Sequence, residues 1–119
     1  MDSFTRAYLT AALFTDCPDG LAGPGEFQEA EPWTIDNIDP DSLREAEAEC
    51  QRFQAEHADL IADDVEHAGR DFWYTRNGHG CGFWDGDWPE PAGEQLTAAA
   101  EQYREVGLIQ GDNGRLYFE

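Results

Sequence analysis

Apolar residues recur along this chain at spacings that assign it five elements. Phe4, Ala7, Tyr8, Ala11 and Ala12 fall at helical spacing, and Ser3 can cap the helix they predict, which runs to about Phe14. Leu43, Ala46, Cys50, Phe53, His57, Leu60 and Ile61 form one stripe of a second helix, expected from Pro40 to about Ala62. Its start is well marked: Asp39 as cap, Pro40 at the first helical position, acid in the first turn. Leu96, Ala99, Ala100, Tyr103 and Val106 give a third helix from about Ala92 to Val106, with Gly107 as its stop.

Between the second and third helices the pattern changes. From Asp71 to Asp85 five aromatic residues mix with polar ones and three Gly, and Asn77-Gly78 offers the left-handed turn that hairpins favour. This stretch predicts two antiparallel strands, with Gly80 and Gly82 marking a bulge or a close backbone approach. On such strands Phe72 and Tyr74 share one face and Trp73 takes the other. Leu108-Ile109 and Leu116-Tyr117-Phe118, joined by Gly111-Asp112-Asn113-Gly114, predict a second hairpin. Residues 17–33 hold three Pro and three Gly without periodicity and read as a long surface loop. The expected architecture is α+β in a single domain over residues 1–119: three helices packed on a small antiparallel sheet of two β-hairpins.

Composition makes that picture self-sufficient. The chain has 119 residues, of which 13% are aromatic, enough for one core. No run approaches the length of a membrane-spanning helix, and Met1 to Arg6 lack the basic stretch and apolar run of a signal peptide. Three scattered cysteines, Cys17, Cys50 and Cys81, fit reduced thiols of a cytoplasm better than a disulfide framework. No cofactor and no metal is expected.

Charge adds the first hint of a partner. Net charge is −19, from 26 acidic residues against 7 basic ones, and every basic residue is Arg. Such a chain disfavours nucleic acid and anionic membrane as direct partners and favours a basic protein or nucleoprotein complex. Two plainer causes exist for the same charge: solvation in a salt-loving cell, or a genome that replaces Lys with Arg. The acids concentrate in the second helix and just after it, at Glu45, Glu47, Glu49, Glu56, Asp59, Asp63 and Asp64, where only Arg44 and Arg52 oppose them. They do not share one narrow stripe, so a broad acidic face is expected.

The 71–85 stretch is the other candidate. Trp73, Arg76, His79, Trp84 and the nearby Trp88 could form a binding surface, because exposed aromatic and arginine side chains dominate protein interfaces. His79 could act as acid or base, Arg76 could hold an anion, and Asp71 or Asp85 could orient either of them. Against catalysis, no nucleophile, base and orienter follow one another recognisably. A His and a Cys two apart make no zinc site, and Asp85-Gly86-Asp87 is a fragment of a calcium loop only. Cys50 and His57 sit on the core stripe and read as packing residues.

The string Asp71-Phe72-Trp73-x-Thr75-Arg76-Asn77-Gly78-His79-Gly80-x-Gly82-Phe83-Trp84-Asp85 resembles a family of small acidic proteins encoded by bacteriophages and prophages. The opening Met1 to Tyr8 and the closing Gly111-Asp112-Asn113-Gly114-x-Leu116-Tyr117 are similar to it too. Cys81 stands where the family tends to show a small residue, and Gly86 where it tends to show Arg, which speaks against a catalytic cysteine. The resemblance implies viral origin. Charge and origin together lead to the expectation of a non-enzymatic inhibitor in the host cytoplasm. It would act on a nucleic-acid-binding defence complex, of anti-CRISPR or anti-restriction type, by nucleic-acid mimicry. The competing expectations are an acidic accessory domain and a small enzyme centred on the 71–85 stretch. Nothing in the composition signals an oligomeric state.

Overall fold

The computed structural model describes residues 1–16 and 33–119. The loop expected over residues 17–33 lies outside them, apart from Trp33, which is buried. Among the described residues four helices and one two-stranded sheet make an α+β architecture: α1 (Ser3–Asp16), α2 (Pro40–Ile61), α3 (Val65–Arg76), α4 (Ala92–Glu101), β1 (Leu108–Gln110) and β2 (Leu116–Phe118). A single 3₁₀ turn, Ile35–Asn37, precedes α2.

Three expected elements form where the pattern puts them. The α1 face of Phe4, Tyr8, Ala11 and Ala12 is buried. At the start of α2, the Asp39 carboxylate accepts the backbone N–H groups of Asp41 and Ser42, at 3.1 and 3.4 Å. The two C-terminal strands pair antiparallel, with Leu108 opposite Phe118 and Gln110 opposite Leu116. One expected element is shorter: α4 ends at Glu101, and Gly107 is no helix stop. Gly107 instead exchanges both backbone hydrogen bonds with Glu119 (2.8 and 2.9 Å) and so extends the strand pair.

The hairpin expected from Asp71 to Asp85 is a helix followed by a loop. Residues 71–76 are the last turns of α3. Val65, Ala68, Gly69, Phe72, Trp73 and Arg76 recur three and four apart, and this helical spacing outweighs the local alternation once residues 65–70 are included. Asn77-Gly78 does provide left-handed backbone, with Gly78 at φ +68°, but it uses it to end α3. The His79 N–H reaches the Tyr74 carbonyl (3.0 Å) and the Gly78 N–H the Thr75 carbonyl (3.3 Å), a Schellman stop. Phe72 and Trp73 are therefore both buried, rather than on opposite faces.

The core is an aromatic stack between these helices. Phe53 of α2 lies face to face with Phe72 of α3, centroids 4.2 Å apart, and Phe83 lies nearly parallel to Phe53 at 5.8 Å. Tyr8 packs on Phe72 and edge-on against Trp73. Helices α1 and α3 approach closely because Gly69 has no side chain: a Cβ there would stand 2.2 Å from the Phe4 carbonyl oxygen.

Candidate functional site

The acidic helix is the first candidate. Glu45, Glu49, Arg52 and Glu56 follow at steps of four, three and four, so they share one side of α2. Glu47 lies off that row. His57 departs from helical geometry (φ −129°, ψ 22°), which offsets Asp59 from the row, and Asp63 and Asp64 follow in the turn to α3. The face is thus an ordered row with outliers, not an even spread. Glu45, Glu56, Asp59, Asp63 and Asp64 are exposed.

Two of the seven acids are engaged. Glu49 accepts a hydrogen bond from Arg76 at 2.9 Å. Asp64 lies 3.0 Å from the Nδ1 atom of His67. Among the described residues the other five have no ion pair. Arg44 pairs with Asp41, and Arg52 donates to the Tyr103 hydroxyl (3.1 Å), its guanidinium 5.0 Å from that ring. Arg52 stands in the row near Glu49 and Glu56 and forms an ion pair with neither.

The 71–85 stretch is held by its own polar groups. Trp88 donates its indole N–H to Asp71 at 2.7 Å. The Thr75 hydroxyl accepts the Phe83 N–H at 3.1 Å. Gly82 passes so near Thr75 that a Cβ would meet its hydroxyl at 2.3 Å, and its φ of +155° disfavours any side chain. Asn77 ties the end of α3 to the segment beyond α4: its amide donates to the Trp73 carbonyl (3.0 Å) and accepts the Val106 N–H (2.9 Å). Asp85 accepts the N–H groups of Gly82 and Asp87, both at 3.3 Å.

This geometry corrects the sequence expectation of a binding surface at these positions. Trp73 is fully buried and donates to the Thr15 hydroxyl at 2.8 Å. Trp88 is buried and stacks on His67 at 4.9 Å. Arg76 is buried too. It donates to the Arg104 carbonyl twice, to the Tyr8 hydroxyl and to Glu49, which engages four of its five N–H donors. Only Trp84 is largely open, at 53% exposure, with His79 half-buried beside Tyr74. The run of anchors explains the unusual composition of the stretch, because each polar residue that goes inside must find a partner.

Nor do the four residues considered for catalysis meet. Asp71 serves His67 and Trp88, and Asp85 serves backbone amides; neither orients His79 or Arg76. The histidine that does meet carboxylates is one that sequence reasoning passed over. His67 lies between Asp64 (3.0 Å) and Asp71 (2.9 Å), with Asp87 at 3.7 Å. Its spacing of four from Asp71 on one helix was the available signal. Both ring nitrogens face carboxylates and Trp88 covers one face, so no nitrogen is left to touch a substrate. Burial pushes the Asp71 carboxyl above its ordinary range, although the Trp88 hydrogen bond and His67 oppose the shift. Burial, with Asp71 and Asp85 nearby, also raises the Cys81 thiol, which makes it a poor nucleophile. Among the described residues no group of three or more His, Cys, Asp or Glu side chains could hold a metal ion. Among the described residues, too, no helix is long and apolar enough to cross a membrane. No protein-family model matches the chain, and no curated protein or solved structure matches it either.

Proposed function

We propose that this chain is a non-enzymatic, acidic interaction protein that docks its α2 face on the nucleic-acid-binding surface of a basic partner. One observation carries the reading: the carboxylates of Glu45, Glu56, Asp59 and Asp63 are exposed on α2 or just beyond it, and among the described residues none of them has an ion pair. Glu45 and Glu56, eleven residues apart on one side of α2, stand about 16 Å apart along its axis and hold negative charge at a set spacing. A basic channel that holds phosphates can hold such an array and release its counterions. The likeness to phage-encoded proteins supports a partner of host-defence type, which puts the protein in the host cytoplasm.

The test is affinity capture from cells of the infected host, followed by competition. The captured partner should lose this protein when nucleic acid is added, and binding should weaken steeply with salt, since screening shortens to about 3 Å at 1 M. Reversing Glu45, Glu56, Asp59 and Asp63 to Lys one after another should reduce affinity cumulatively, mostly through the association rate. A partner that binds nucleic acid and this protein together without interference would rule the mechanism out.

A second reading is supported by the acids elsewhere. Glu66, Glu94, Glu101 and Asp112 are exposed on other elements, as an acidic coat that serves solvation alone requires. In that case capture returns nothing specific, and charge reversal changes solubility and not binding.

A further inference from the structure

Trp84 is exposed, yet it is not loosely placed. Gly93, at the start of α4, comes so near the loop that a Cβ would meet the Phe83 carbonyl oxygen at 2.9 Å and the Trp88 Cβ at 3.2 Å. The loop therefore sits directly on the helix, and the residue after Phe83 is positioned by backbone contact. The Trp84 ring folds back over its own loop, its indole nitrogen 3.2 Å from where a Gly82 Cβ would be. Beside the ring runs an open groove of about 410 Å³, lined by Trp84, Glu90, Glu94, Thr97, Ala98 and Glu101.

The helical wall of this groove comes from one face of α4, because residues 94, 97, 98 and 101 are three and four apart. Ala98 and Thr97 keep that wall low. Glu90, Glu94 and Glu101 line the same groove. Among the described residues none of the three glutamates has an ion pair or a side-chain hydrogen bond. The groove thus combines one aromatic ring with three carboxylates free to take a cation.

We propose that this groove is a docking pocket for an arginine side chain presented by the basic protein partner. The proposal rests on the reading of the chain as an acidic interaction protein and gives it a specific contact apart from the α2 face. A guanidinium stacks flat on an indole and forks to a carboxylate at its edge; an ammonium does neither as well. Anionic ligands are repelled by three glutamates, and an apolar segment would bury carboxylates without partners.

The test uses the full ¹⁵N-labelled chain and two blocked heptapeptides of Gly and Ser, one carrying two arginines and the other two lysines. The arginine peptide should shift the Trp84 indole N–H and the Thr97 and Ala98 amides first, and saturably. Its lysine counterpart should bind several-fold more weakly. Trp84→Ala should weaken arginine-peptide binding about tenfold, as expected for a stacked cation. Glu94→Gln with Glu101→Gln should weaken it as well, whereas Asp112→Asn, at an exposed acid outside both the groove and the α2 face, should leave it unchanged. Shifts spread over every acidic face, with equal affinity for both peptides, would overturn the groove; so would Trp84→Ala binding as wild type does. These outcomes are separate from those of the capture experiment. A groove that selects arginine while nucleic acid fails to compete for the partner sinks mimicry alone.

Discussion

The carboxylate of Glu49 and the guanidinium of Arg76 lie 2.9 Å apart between α2 and α3, and the arginine side chain has no solvent exposure at all. A forked cation enclosed in an aromatic core is costly unless its donors are used, and here the Tyr8 hydroxyl and the Arg104 carbonyl, with Glu49, take four of the five. Arg76 joins four elements of the chain that are remote in sequence. It also removes Glu49 from the set of free acids.

Arg76→Ala should therefore cost about 3–5 kcal/mol, because it opens a space in the aromatic core and leaves the buried Tyr8 hydroxyl and the half-buried Glu49 carboxylate without their partner. Glu49→Gln retains an oxygen for the guanidinium and should cost about 1–3 kcal/mol. Urea unfolding followed by circular dichroism measures both. A loss under about 1 kcal/mol for Arg76→Ala would return Arg76 to the list of binding residues.

The tryptophans of the aromatic stretch should separate sharply. Trp73→Ala opens a cavity against Tyr8 and Phe118 and removes the hydrogen bond to Thr15, so about 3–5 kcal/mol should be lost. For Trp84→Ala the change should stay within about 1 kcal/mol, since half of the ring is already in water. Equal costs in thermal melts would contradict the burial described above.

Glycines test the helix contact in the same way. Gly69→Ala drives a methyl into the Phe4 carbonyl and should destabilise by about 1–3 kcal/mol or more through displacement of α1. Gly80→Ala meets nothing within 4 Å and should be close to neutral. A harmless Gly69→Ala would mean that α1 and α3 sit further apart.

Asp71 predicts a pH dependence. Burial raises its pKa above the ordinary 3.8, so the folded protein binds this proton more tightly than the unfolded chain does. The resulting stabilisation is complete below 3.8 and is lost as the pH rises through the folded value. Asp71→Asn keeps an oxygen for the Trp88 indole and has no proton to lose. The wild type should accordingly gain stability relative to Asp71→Asn on going from about pH 7 to about pH 4. Parallel stability curves for the two proteins across that range would show that Asp71 is not held out of water.

How much of this was legible in the sequence depends on where the signal is local. The α2 start was, because Asp39-Pro40-Asp41-Ser42 carries cap, first position and acid in consecutive residues. So was the terminal hairpin, whose turn at Gly111 to Gly114 joins strands only three residues long. The acidic row on α2 was legible as composition, and its regular steps of four and three could have been counted. The aromatic stretch misled because Asn77-Gly78 is ambiguous by nature: left-handed glycine serves a hairpin turn and a helix stop equally well. Only the apolar positions upstream, from Val65, decide between them.

Sequence alone determined the helical stripes, the turn chemistry and the charge, since each is written within a few neighbouring residues. Tertiary structure alone decided which of the residues with chemical potential face water. Arg76 and Trp88 are polar-tipped and look available, and they are buried because Glu49, Tyr8, Arg104 and Asp71 arrive from other parts of the chain to satisfy them. Trp84 has the same composition-level credentials and stays outside. Burial of a polar group depends on partners brought from a distance, and that information exists only once the chain has folded.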